Sequence, residues 1–215
     1  MAGPGFRPCI SPDGWFVMLV PKRIVAPAAS ILTLSEIKEH LRIEEDDDAE
    51  NDLLQALIAV AETYLDGYSG VLGRCMITQT WRYSLYGWPS CRLDLPFPDV
   101  SSVIVRYRDD DDVEQILPES QYQVLEGACG SFVRWFDSFS GPSLYDRGDA
   151  VQVDMVCGYG DTAAEVPANI IHAAKLMIGA WYENRENIVI SNLISQLPIS
   201  VSAQALLATV RRVGV

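Results

Sequence analysis

Two acidic runs, Glu44-Glu45-Asp46-Asp47-Asp48 and Asp109-Asp110-Asp111-Asp112, are the residues of this chain best suited to holding a cation. Clustered carboxylates bind divalent ions when a glycine and alternate spacing let several oxygens converge, as in a calcium-binding helix–loop–helix. Neither run has that glycine or that spacing. Aspartate is equally favoured where a helix begins, since its oxygen accepts from the free amides of the first turn. It is favoured at hairpin tips too, where its side chain bonds its own backbone. Residues 44–48 are therefore read as a solvated loop capping the helix that follows, and residues 109–112 as a hairpin tip. No metal site is expected. The enzymatic alternative is a metal-dependent hydrolase using residues 44–48.

The other reactive residue types do not assemble into a motif. The only two histidines, His40 and His172, fall inside expected helices, with no nucleophile elbow of the Gly-x-Ser-x-Gly kind in the sequence. Gly158-Tyr159-Gly160-Asp161 lacks the third glycine and the strand–turn–helix spacing of a dinucleotide-binding turn, so it is read as a structural turn with no cofactor. Five scattered cysteines (Cys9, Cys75, Cys91, Cys129, Cys157) contain no Cys-x-x-Cys pair, which argues against a zinc ribbon or a disulfide framework. The chain is expected not to be an enzyme.

Charge narrows the partners. Sixteen basic residues face 29 acidic ones, for a net charge of −13, and no basic run exceeds Arg211-Arg212. A protein that grips DNA neutralises phosphates with clustered Lys and Arg. An acidic surface suits solubility, or a conduit wall to which passing DNA should not adhere. No apolar run approaches the roughly 20 residues needed to span a bilayer, and no export signal is read at the start. A cytoplasmic chain is expected.

The elements that would position these residues are legible as period changes. Residues 1–30 carry five prolines and three glycines, a pattern that excludes a helix or a central strand. Thr33-Leu34-Ser35-Glu36 is a capping box opening a helix with Leu34, Ile37 and Leu41 on one face. A second helix is expected from about Ala49 to Tyr68, with an apolar stripe of Leu53, Leu54, Leu57, Ile58, Ala61, Tyr64, Leu65 and Tyr68, ended by Gly70 and Gly73. From Ile77 the period becomes two. Strands are expected at 77–85, 93–96, 103–107, 113–117, 122–125, 132–135 and 151–156, in an antiparallel meander. Pro167 then opens a helix placing Ile170, Ala174, Met177, Ile178 and Trp181 on one face. The fold class is α+β: an N-terminal helical hairpin and C-terminal helices forming a helical body, with an inserted antiparallel β-meander. Residues 1–30 form an arm and 31–215 one domain, divided into 31–74 (hairpin), 75–160 (β-rich insertion), 161–187 (helix) and 188–215 (docking segment).

Several of these pieces, taken in order from about Pro21 to the C-terminus, resemble the head–tail connector (adaptor) family of long-tailed phages and gene transfer agents. They are Leu34-Ser35-Glu36-Ile37-Lys38-Glu39-His40-Leu41-Arg42-Ile43 with the acidic loop after it, Ile77-Thr78-Gln79-Thr80-Trp81, Leu93-Asp94-Leu95-Pro96, Gly158-Tyr159-Gly160-Asp161 and Trp181-Tyr182-Glu183-Asn184-Arg185. The chain departs from the family in its Met1–Leu19 extension and in Gly127–Arg147. The resemblance implies a structural protein of the virion or phage-like particle neck, assembled as a homo-oligomeric ring of about a dozen copies. The ring would bridge the portal protein to a stopper or tail-terminator protein, and DNA would pass through its channel without specific binding. A stopper or tail-completion role one layer below is the alternative within the same class. The resemblance brings no catalytic residue.

The expected interface follows from residue type. Trp181, Tyr182, Glu183, Asn184 and Arg185 combine aromatic bulk with polar groups suited to pairing with another chain. Residues 188–202 carry eight aliphatic side chains without clean periodicity, Leu193, Ile194, Leu197 and Ile199 among them. Such a segment is expected to order only against a partner, the portal being favoured, with the short final helix (Ala203–Val210, with Leu206 and Leu207) docking in the same event.

Overall fold

The computed structural model describes residues 19–89, 92–184 and 201–212. They divide into two compact units, each built from two stretches of chain: one from residues up to Ala26 with Gln79–Cys157, the other from Pro27–Thr78 with Gly158 onward.

The second of these units is helical. It contains α1 (Leu34–Leu41), α2 (Asn51–Leu65), α3 (Ala168–Glu183) and α4 (Val201–Ala208). The capping box that opens α1 is formed as the sequence predicts. The Glu36 amide donates to Thr33 Oγ1 at 3.2 Å, and the Thr33 amide donates to the Glu36 carboxylate at 2.8 Å. On α2 the residues at i, i+4, i+7 and i+11, Leu54, Ile58, Ala61 and Leu65, are buried. They meet Ile170, Ala173, Ala174, Met177 and Ile178 of α3, with Ile37 of α1 and Leu207 of α4 in the same cluster. α1 and α2 touch each other and both lie against α3. Each fully buried aliphatic side chain here contributes about 1.5–3 kcal/mol.

α2 ends earlier than its stripe suggests, at Leu65 rather than Tyr68. Asp66 turns to an extended conformation and its carboxylate accepts from the Met76 amide at 2.8 Å, while Gly67 takes a left-handed φ of 78°. The stop is therefore Asp66-Gly67, not Gly70 and Gly73. At the other junction Gly158 adopts φ +143°, and a Cβ there would come within 2.7 Å of the Ile77 carbonyl carbon and the Thr78 amide. The turn it makes is held by Thr78 N–H to the Gly160 carbonyl at 2.8 Å, so this glycine motif is structural, as expected.

The other unit is all sheet. Its strands are β1 (Lys22–Val25), β2 (Gln79–Leu85), β3 (Arg92–Asp94), β4 (Val100–Arg108), β5 (Glu114–Ile116), β6 (Tyr122–Gly127), β7 (Gly130–Trp135) and β8 (Val151–Cys157). All pairings are antiparallel, but the order is not that of a meander. A five-stranded sheet runs β1-β2-β8-β4-β5, and β3-β7-β6 form a separate sheet of three. The last strand returns to the centre because it alone is covered on both faces: Val151, Val153, Met155 and Cys157 face one way, Gln152 and Asp154 the other, and all six are buried. The two sheets pack through Trp81 against Phe97 (ring centroids 5.0 Å) and through the Tyr122 hydroxyl, which donates to the Val103 carbonyl at 2.9 Å. One end of this sandwich is filled by Trp88, Tyr107, Trp135 and Phe139, with ring centroids 5.0–5.8 Å apart. Architecture thus agrees with the α+β reading at the level of four helices and antiparallel sheets.

Candidate assembly surface

The acidic loop after α1 already has a cation, and the chain supplies it. Lys38, only 2% exposed, donates from Nζ to the Glu45 carbonyl at 2.8 Å and lies 3.5 Å from Asp48 Oδ1. Asp48 Oδ1 also accepts from Asn51 Nδ2 at 2.6 Å, tying the loop to the first residue of α2. A second cation at this point would face the lysine ammonium at close range. The sequence reading overlooked Lys38. The usable signal was its place directly after Ile37, one position off the apolar face, where a long stem is buried while its charge is delivered to a nearby acidic loop.

The run 109–112 is a turn. Asp109 accepts from the amides of Asp111 (3.1 Å) and Val113 (3.0 Å) and from Gln115 Nε2 (2.8 Å), and the hydrogen bond from Gln115 is the largest influence lowering its carboxyl below the usual range. His40 on α1 is lowered, first by burial, then by the charge of Lys175 and by His172 on α3. Lys175 in turn lies 3.6 Å from Glu36. These groups sit at the packing surface of α1 and α3. Among the described residues no group of three or more His, Cys, Asp and Glu side chains is placed to hold a metal ion.

The residues expected to form the interface separate into three kinds. Trp181 and Tyr182 are half-buried against the helical core, and the Tyr182 hydroxyl donates to the Glu50 carboxylate just before α2. Glu183 and Asn184 are exposed, and Asn184 Nδ2 returns to the Ala180 carbonyl at 2.9 Å to finish α3. Arg185, Leu193, Ile194, Leu197 and Ile199 lie outside the described residues. The third kind is α4, where the expectation needs correction. Leu207 is 5% exposed and Ala203 is fully buried within the chain's own core, and Leu206 is partly buried against it. Asn169 Nδ2 donates to Thr209 Oγ1 at 2.8 Å, and the Arg212 amide donates to the Leu72 carbonyl at 2.9 Å. The final helix needs no partner to dock, because α3 presents an apolar surface that its alanine and leucine fill.

Two surface features were not foreseen. Val60 and Tyr64 on α2 and Tyr68 just beyond its end leave 53%, 39% and 48% of their surfaces exposed, and the first two line a shallow depression with Ala59, Thr63, Ser69 and Val71. The apolar stripe read from the sequence was too wide for one core, and Tyr64 and Tyr68 form its solvent flank. The second feature lies on the sheet face formed by even-numbered residues. Arg82 grips Asp154 with two bonds (2.6 and 2.8 Å), Arg106 adds a third at 3.1 Å, and Arg106 continues to Glu114 at 3.2 Å. Glu114 meets Arg108 at 3.5 Å, Arg108 bonds the Asp112 carbonyl at 3.1 Å, and Arg147 joins Asp112 (3.0 Å) to Asp149 (3.0 Å). Burial alone would raise the Asp154 carboxyl, but the hydrogen bonds and charges of Arg82 and Arg106 prevail and lower it.

Comparison with known proteins completes the description of these surfaces. Residues 31–84, spanning α1, α2 and most of β2, match the family described as phage gp6-like head-tail connector protein. Three solved structures share the fold over 92% of this chain and 97% of theirs, each at 20% identity. They are a chain in the neck of an empty GTA particle computed with C6 symmetry (TM-score 0.71), one in the virion of a native gene transfer agent particle (0.67), and one in the neck of a native GTA particle computed with C12 symmetry (0.65). No curated protein matches the sequence significantly. Over residues 31–84, about a quarter of its length, the chain is thus similar to the phage gp6-like head-tail connector family, and over nearly its whole length it shares the fold of the GTA particle chains.

Proposed function

We propose that this chain is the head–tail connector subunit of a phage or gene transfer agent particle, working as one connector domain in a ring around the DNA channel at the neck. The observation that carries the reading is the likeness of nearly the whole fold to neck chains, with both chains covered almost end to end. A symmetry of twelve in one of those necks supports about a dozen copies here. The net charge of −13 supports a wall that DNA slides past. The portal is the partner above, reached through the exposed Glu183 and Asn184 at the end of α3 together with Arg185 and residues 188–202 of the segment that follows, and a stopper or tail protein is the partner below. The role is structural, with no step of catalysis.

Averaged electron micrographs of particles, with the chain fitted into the neck density, test the reading. A ring directly beneath the portal is expected. Density that fits the chain only in the layer below makes it a stopper, and particles without the chain in the neck overturn the proposal. In solution, duplex DNA should bind no more tightly than roughly the 10⁻⁴–10⁻⁶ M of non-specific binders at physiological salt.

A further inference from the structure

Resting on that ring reading, we infer that neighbouring copies join edge to edge through the five-stranded sheet, β1 of one copy pairing with β5 of the next. Among the described residues, the strand order β1-β2-β8-β4-β5 makes these two the borders of a single sheet. Both are exposed along their whole length. A sheet border offers its outer backbone donors and acceptors to another strand. Each border also carries aliphatic side chains in water: Val25 at 55% exposure on β1, Ile116 at 59% on β5.

Charge identifies the occupant as a second copy of this chain. β1 begins at the exposed Lys22, whereas β5 begins at Glu114, held by Arg106 and Arg108, directly after the acidic turn 109–112, whose Asp110 and Asp111 are exposed. Lysine on an edge strand ordinarily deters promiscuous pairing. Here the basic border has its acidic complement on the opposite border of the same sheet, so the charge selects a copy of the chain and repels like edges, β1 from β1 and β5 from β5. A contact between different patches on identical subunits is heterologous, the kind that closes into rings. The direction follows too. Four successive antiparallel steps leave β1 and β5 running the same way. A ring of many copies turns each neighbour only slightly, so the new pair is parallel, with evenly spaced, slanted hydrogen bonds.

The test uses the full-length chain, half of it labelled with heavy nitrogen. A carbodiimide joins amines to carboxylates in contact, linked peptides are read by mass spectrometry, and light scattering follows the oligomer. Mixed-isotope peptides joining Lys22 to Asp110, Asp111 or Glu114 are expected. Lys22→Glu and the pair Asp110→Lys with Asp111→Lys should each weaken self-association about tenfold or more, by placing like charges opposite one another. The triple variant should recover it. Thermal melts matching the wild type show that these exposed substitutions leave the fold intact. If oligomers form but their mixed-isotope links avoid β1 and β5, and neither reversal changes their mass, edge pairing is wrong and the ring stands by another contact. A chain that stays monomeric to its solubility limit overturns the ring reading together with this inference.

Discussion

The two units hold themselves together by different means. The helical unit buries aliphatic side chains from four helices, and its charged groups act at helix ends, as in the Thr33–Glu36 box. The sheet unit fills one end with four aromatic rings and covers one face with alternating arginines and carboxylates centred on Asp154. A helical core is lost by deleting volume; the sheet face is lost by deleting one charge and stranding its partners. Substitutions that separate these two modes sharpen the contrast.

The largest effect is expected in the helical core. Leu54→Ala, at a side chain with no exposure, should cost about 2–5 kcal/mol, because the rigid surroundings of α3 leave a cavity. Chemical denaturation should show a lower midpoint with an unchanged slope. Next comes Asp154→Ala, which takes from Arg82 its bidentate carboxylate and leaves Arg106 only Glu114. Losing one partner of a buried pair costs about 3–5 kcal/mol, and the 32% and 25% exposure of the two arginines brings this nearer about 2 kcal/mol. Replacing all three residues by apolar ones of similar size should recover most of the loss. If Asp154→Ala alone is neutral, the ionic face is ornament and the contrast fails.

How much of this was legible in sequence follows the same division. The Thr33–Glu36 box, the α2 face and the Pro167 start of α3 depend on neighbours within a few residues, and each was readable from spacing alone. The strands were readable one by one, through alternation such as Trp81, Tyr83 and Leu85. Their order was not, since inserting β8 between β2 and β4 rests on contacts 44 to 78 residues apart, which periodicity does not encode. The even-phase residues Arg82, Arg106 and Asp154 were nonetheless a clue, because one carboxylate between two arginines in the same phase implies neighbouring strands. At the candidate surface, aromatic bulk next to charge did not separate a partner surface from internal packing, since Trp181 and Tyr182 lie half-buried against the helical core. The docking of α4 within the chain was not, because an eight-residue segment of alanines and leucines fits a partner and its own core equally well.

Smaller effects bear on the helix ends and on pH. Thr33→Ala should remove about 1 kcal/mol, read as a fall of roughly 2–4 °C in Tm for a chain of this size. Retaining Tm would show that α1 is fixed by packing alone. For His40 the folded-state pKa lies below the usual 6.5, so the unfolded chain binds the extra proton first. Stability is then complete above about 6.5 and declines as pH falls below it, until both states are protonated. Asp154 acts later: its lowered pKa contributes stability above the usual 3.8 that is lost as pH falls through its folded value. Melts between pH 7 and pH 5 should fall for the wild type and flatten for His40→Gln. A wild-type Tm that rises over that range would contradict the assignment.

The interleaving of the two units has a consequence for how the chain is born. Each is assembled from two stretches, with the strand border at 22–25 and the first two helices emerging from the ribosome long before β8, α3 and α4 exist. Neither unit can close during the first two-thirds of synthesis, since α2 waits for α3 and β2 waits for β8. Through that interval Leu54 and Ile58 lack the α3 side chains they meet in the finished chain. A nascent chain already carrying most of the 29 acidic residues keeps such copies apart by mutual repulsion, so the same negative charge that would let DNA slide through a finished ring first serves as a chaperone written into the polypeptide.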